Sequence, residues 1–219
     1  MRAPQQLRPA LVVALDGATF SVVEPMVARG GLPNLARALR EGRGAPLPSV
    51  VPPVTFPAWS SFMTGLEPGE HGVFDFTQKV EGAYRLRFVN ASDRAGTTLF
   101  RRVCDAGGRV LVLGMPAAFP PEPLEGLLVC GFDADLLRFL GDGALFARNV
   151  RFAVPTLRAG GVQGRAPALA MVVFGESDTV GHHYWRDHDA RSPRHDPAAS
   201  DARTGAIEAV YARLDAACG

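Results

Sequence analysis

The chain has 219 residues, enough for one substantial domain with its own core. Its 23 basic and 22 acidic residues nearly cancel, which excludes the strongly basic field that nucleic-acid binding needs. Cys104, Cys130 and Cys218 stand far apart and outside any C-x-x-C pair, the N-terminus lacks a signal-peptide pattern, and no apolar run reaches the length of a membrane span. These features exclude a disulfide scaffold and a thiolate zinc site, and predict a cytoplasmic protein with no membrane partner.

In chain order, LVVAL (11–15) is a short apolar run that ends in Asp16-Gly17, the pattern of a strand buried on both faces of a parallel sheet. LPNLARALREG (32–42) places Leu32, Leu35 and Leu39 at helical spacing, with Gly42 to stop the helix. SVVPPVTFPAWSSFMTG (49–65) starts extended, because Pro52 and Pro53 hold the backbone out of the helical region. A helix then begins at or beside Thr55, with Pro57 in its tolerant first turn and Trp59, Phe62 and Met63 along one flank. Residues 66–96 are turn-rich and give no clear assignment. TTLFRRVCDAGG (97–108) reads as a helix, RVLVLGM (109–115) as a buried strand, and LLVCGF (127–132) as a third strand. Residues 133–168 lack periodicity and are expected to form a surface excursion. LAMVVF (169–174) is the clearest of the later strands, and 199–217 carries Ile207, Val210, Tyr211 and Leu214 on one helical stripe. Strands alternating with helices predict an α/β fold, a mainly parallel central sheet with helices on both faces.

In such a sheet, chemistry collects beyond the carboxyl ends of the strands. Asp16 directly follows the first strand and Asp178 follows LAMVVF by four residues. On a helix, Asp178 and His182 share a face, and a carboxylate with an imidazole suits zinc or a similar divalent metal. The simpler reading of D-x-x-x-H is a surface turn. Thr55 presents a hydroxyl at the positive end of a helix dipole, where a phosphate-like anion is held; on that stretch alone it reads as a capping threonine. His183 points elsewhere on the helix, and Asp187-His188 and His195-Asp196 fall in a polar stretch and read as solvated loop residues.

Taken together, LDGATF (15–20), LPNLARALREG (32–42), PPVTFPAWSSFMTGLEPGEHGVFDF (52–76) and FGESDTVGHHYW (174–185) resemble the alkaline phosphatase superfamily. The likeness is to its type I phosphodiesterase/nucleotide pyrophosphatase-like branch and to the predicted phosphohydrolase/phosphomutase group. The resemblance implies a threonine nucleophile at Thr55, a phosphothreonine intermediate, and two divalent ions. It makes Asp16 and Thr55 ligands of one ion and Asp178 and His182 ligands of the other, zinc being favoured and manganese or magnesium also suited. It implies a small phosphate ester or diester as substrate. The family's phosphate-contacting asparagine has no counterpart in Val73-Phe74-Asp75-Phe76, and its Asp-His pair and last His fall beyond a helix like 199–217. Residues 1–219 are accordingly expected to be the N-terminal portion of a longer catalytic domain, holding metal weakly and turning over little by themselves. Thr55-Phe56-Pro57-Ala58-Trp59 lacks the Cys or Ser and the Arg of the sulfatase relatives, and LDGATF lacks the G-x-G-x-x-G of a dinucleotide binder. The alternative from another class is an inactive remnant or binding module on the same scaffold.

Overall fold

The computed structural model describes residues 7–131 and 166–219. Among these residues the main sheet has four strands in the order β1-β6-β4-β5: β1 (Ala10–Leu15), β4 (Val110–Met115), β5 (Gly126–Cys130) and β6 (Leu169–Phe174). β4 pairs in parallel with both β5 and β6. The amide of Ala10 donates to Ala168 O and that of Asp16 to Phe174 O, the same offset at both ends, so β1 also runs parallel to β6. A two-stranded antiparallel ribbon, β2 (Thr77–Lys79) with β3 (Leu86–Phe88), occupies part of the stretch that gave no assignment from sequence.

Two compact units divide the chain. Unit 1 comprises residues 1–12 and 48–173, and unit 2 comprises 13–47 and 174–219. In unit 1, every residue of β4 is buried, as an apolar run in the middle of a parallel sheet requires. Around the sheet are α3 (Thr55–Thr64), α4 (Pro68–His71) and α5 (Leu99–Asp105). Thr98 caps α5 by accepting the amide of Arg101 at 3.0 Å. Gly65 ends α3 in the left-handed region at φ 72°. Phe56 and Met63 of α3 are fully buried, while Phe62 lies in solvent, so the buried flank of this helix runs through Phe56 instead of Phe62.

In unit 2, α1 (Phe20–Ala28), α2 (Pro33–Glu41), α6 (Glu176–His188), α7 (Asp201–Thr204) and α8 (Ala206–Ala217) close over Val22, Met26, Leu32, Val180, Ile207 and Tyr211. α2 starts on Leu32 without a side-chain cap of its own. The buried carboxylate of Asp215 supplies that cap from α8, accepting the amides of Asn34 at 3.1 Å and Leu35 at 2.7 Å. The stripe at Ile207, Tyr211 and Leu214 is buried as read, but Gly205 divides its segment into two helices.

Two expectations are corrected. β1 is not buried on both faces: Leu11 is 60% and Val13 40% exposed, because β1 ends the strand order and nothing among the described residues covers the face they share. Asp187 is not a solvated loop residue. It lies in the last turn of α6, fully buried, with Arg203 at 2.9 Å, a partner sixteen positions along the chain that local pattern does not reveal. His195 stays in a loop as read, its Nδ1 lying 3.0 Å from Arg186 O. The expected surface excursion at 133–168 lies outside the described residues except for its last three positions.

Candidate metal and phosphoryl site

β1 delivers its chain end at Asp16, whose amide donates to Phe174 O at 2.8 Å and so extends the parallel ladder to the last residue of β6. The chain then turns at Gly17 with φ +67°, a conformation that glycine adopts without penalty. Gly17 is also required for space. A Cβ there would sit 2.8 Å from Asp178 Cα and 2.9 Å from both Asp178 Cβ and Oδ1. The buried hydroxyl of Ser177 donates to Asp16 O at 2.6 Å, tying the start of α6 to the same turn. Asp16, Gly17, Ser177 and Asp178 thus form one tight assembly within unit 2, just beyond the carboxyl ends of β1 and β6.

Asp178 stands in the first turn of α6, where the helix dipole favours its charge. One turn on, His182 Nε2 lies 3.4 Å from Asp178 Oδ1, the same-face pairing that the spacing predicted. Asp178 is 34% and His182 77% exposed in their side chains, so the pair opens to solvent and is accessible to an ion. Oxygen and imidazole donors on one face fit a borderline divalent cation. The fit is partial: among the described residues, no group of three or more His, Cys, Asp or Glu side chains gathers closely enough to hold a metal ion. Asp178 and His182 are thus two donors, fewer than the four of a closed site.

Thr55 belongs to unit 1. It is the first residue of α3, directly after the extended N-cap Val54, and the amide of Ala58 closes the opening turn on Val54 O at 3.0 Å. Its placement next to the cap is the one the prolines predicted. The structure brings the Asp16 turn, Asp178 and His182 together in unit 2, with Thr55 at the head of its helix in unit 1.

Sequence reasoning passed over His71. It is buried at the end of α4, where its Nδ1 accepts the amide of Val73 at 3.1 Å. That bond leaves the proton on Nε2, which donates to Ser61 Oγ of α3 at 3.0 Å. Burial, and next the nearby Arg94 cation, push its pKa below the ordinary value. His71 is therefore a neutral imidazole with a fixed tautomer, bracing the helix that starts at Thr55. The cue was its place in Gly69-Glu70-His71-Gly72, a short helix ending on a left-handed glycine.

The parallel sheet flanked by helices, with an acidic turn past its first strand, is an α/β fold. Residues 10–219 match the family model described as type I phosphodiesterase / nucleotide pyrophosphatase, and the chain belongs to that family. No curated protein sequence matches it significantly. Among solved structures, it is similar to phosphonoacetate hydrolase from Sinorhizobium meliloti in complex with phosphonoacetate, at 20% identity and a TM-score of 0.60, over 96% of this chain and 53% of the other. Murine ectonucleotide pyrophosphatase / phosphodiesterase 5 is similar at 15% identity and a TM-score of 0.59, over 96% of this chain and 51% of the other. An inactive threonine-to-alanine variant of that murine protein, in complex with AMP, is similar at 14% identity and a TM-score of 0.58, with the same coverage. At these identities the likeness shows the fold, and the chain spans about half the length of these structures. Among the described residues, no helix is long and apolar enough to cross a membrane.

Proposed function

We propose that the protein is a metal-dependent phosphoryl-transfer enzyme, a phosphodiesterase, phosphohydrolase or phosphomutase, with Thr55 as nucleophile and a small phosphate ester or diester as substrate. The observation that carries this reading is the Asp178–His182 pair, set against the Asp16–Gly17 turn at the carboxyl ends of two parallel strands. Family membership supports it, as do the phosphorus-bearing ligands, phosphonoacetate and AMP, of the structural neighbours. The inactive threonine-to-alanine variant of the murine neighbour supports the choice of a threonine.

In this reading Asp16 and Thr55 serve one divalent ion, and Asp178 and His182 serve a second, with zinc best suited to the donors and manganese or magnesium also compatible. Such ions, when bound, neutralise phosphoryl charge and favour ionisation of a coordinated hydroxyl. Further ligands complete the set, because four side chains are too few for two ions. The Thr55 oxygen attacks phosphorus and gives its proton to water, while the P–O ester bond breaks and the leaving oxygen departs with its electron pair as an alkoxide or phenolate, giving a phosphothreonine. Attack by water or by a second alcohol on that phosphorus regenerates the hydroxyl. At the head of α3, the dipole favours the charge that develops on the transferring group.

The test uses purified full-length protein with p-nitrophenyl phosphate and bis(p-nitrophenyl) phosphate. Metal-dependent release of p-nitrophenol that disappears in Thr55→Ala is the expected result. Turnover unchanged in Thr55→Ala removes Thr55 from this role, and no turnover of either ester favours the binding-module reading.

A further inference from the structure

We infer that Ser177 and Tyr211 are positioning residues, which hold the Asp16 carboxylate in place for a divalent cation by clamping both ends of the loop that carries it. The inference rests on the assignment of Asp16 as a metal ligand under the proposed function. The loop is Asp16-Gly17-Ala18-Thr19, between β1 and α1. With glycine at its second position it is intrinsically pliant. An acidic side chain on a pliant loop holds a cation less tightly, because ordering the loop opposes binding.

Two backbone bonds support the loop from nearby, Asp16 N to Phe174 O at 2.8 Å and Ala18 N to Leu15 O at 3.3 Å. Two more come from side chains remote in sequence. Ser177 Oγ of α6 donates to Asp16 O at 2.6 Å, across 161 positions. The amide of Thr19 donates to the Tyr211 hydroxyl of α8 at 3.2 Å, across 192 positions. Ser177 and Tyr211 are each only 2% exposed, which keeps water from replacing these bonds.

In both residues the hydroxyl is spent on the loop. Tyr211 lies in the unit 2 core with Val22, Met26 and Ile207, where a phenylalanine would fill nearly the same space. What its oxygen adds is an acceptor for the Thr19 amide. Thr19 caps α1 through its own side chain, so this amide precedes the helix and has no partner within it. Ser177 stands in the first turn of α6, next to Asp178, and its hydroxyl crosses to the Asp16 carbonyl. Losing either bond frees one end of the loop about Gly17, and the Asp16 carboxylate then shifts relative to Asp178. Groups that orient a metal ligand contribute about 10–100-fold in affinity, and a bond to the ligand's own backbone falls at the lower end.

Calorimetric titration of metal-stripped full-length protein with cobalt(II) tests the inference. Ser177→Ala and Tyr211→Phe are each expected to weaken cobalt binding by about tenfold, and Asp16→Ala by more. Ser177→Thr keeps the hydroxyl and should bind cobalt as the wild type does. Ile207→Val, one turn before Tyr211 on α8, trims the same core without touching the loop. It should lower the urea midpoint of unfolding and leave cobalt affinity unchanged. Wild-type affinity in Ser177→Ala or in Tyr211→Phe, with binding weakened in Asp16→Ala, would overturn the inference alone. So would equal weakening in Ile207→Val and Tyr211→Phe, because packing and not the hydroxyl would then govern the site. Undiminished binding by Asp16→Ala, or no binding by the wild type, would remove the metal assignment of Asp16 and the inference with it. Circular dichroism identifies a variant that fails to fold; if that is Ser177→Ala, then Tyr211→Phe, which loses a single oxygen, decides.

Discussion

Replacing Gly17 by alanine tests whether the turn after β1 and the first turn of α6 are built against each other. Two costs can be separated. At φ +67° an L-residue loses about 1–2 kcal/mol relative to its right-handed conformation. The added methyl would also lie 2.8 Å from Asp178 Cα, an atom that moves only if the helix start moves. Overpacking of that kind costs about 1–3 kcal/mol more. Gly30→Ala provides the control, because Gly30 has φ +80° and a methyl group added there would meet nothing within 4 Å. Urea unfolding followed by the fluorescence of Trp185, which packs on the unit 2 core, reads both variants. Gly17→Ala should lose about 2–5 kcal/mol and Gly30→Ala about 1–2 kcal/mol. Gly17→Ala should also lower turnover while still folded, since it displaces Asp178. If the two variants are equally stable, the close approach of Gly17 to Asp178 is not what holds this turn, and the argument for the assembly fails.

Asp187→Ala should destabilise by about 1.5–3 kcal/mol in the same assay, because it removes the buried carboxylate that holds Arg203, whose own side chain is 37% exposed; a loss below about 1 kcal/mol would mean the pair behaves like a surface one. Asp215→Ala removes the acceptor of the Asn34 and Leu35 amides and should cost about 2–3 kcal/mol, with Asp215→Asn recovering part of it. His71 has a lowered pKa in the fold, so the unfolded chain binds more protons below the ordinary value of 6.5, and stability falls as pH drops from there through the lowered pKa. His71→Gln should flatten that part of the profile of unfolding free energy between about pH 7 and 5, and an unchanged slope would contradict the neutral, buried assignment. For activity, Thr55→Ala should lower kcat by at least about 10³-fold, the scale on which a lost covalent nucleophile acts, while Thr55→Ser should retain measurable turnover.

Much of the framework was legible because its signals are local. LAMVVF and VLVLGM are six-residue apolar runs bounded by breakers, and both are central strands. Leu32, Leu35 and Gly42 marked α2, and the four-residue spacing of Asp178 and His182 put them on one face of α6. What was missed depends on partners remote in sequence or on signals that cancel. α1 carries Pro25 inside FSVVEPMVA, which reads as a breaker although Thr19 caps the helix ahead of it. β2 and β3 have three residues each, too few for a period of two to emerge. Asp187 and Asp215 look like surface acids until Arg203 and the head of α2 are brought against them. The exposure of Leu11 and Val13 could not be read either, since an apolar strand has the same composition whether or not its face is covered.

The most direct measurement of the central claim is to trap the covalent intermediate. Full-length protein is mixed with p-nitrophenyl phosphate and divalent metal, quenched in acid during turnover, digested, and mapped by mass spectrometry. The account predicts a phosphoryl group on the peptide bearing Thr55 and on no other, absent without metal and absent in Thr55→Ala. Turnover with phosphate found on a different residue, or release of p-nitrophenol that persists in Thr55→Ala, would contradict it.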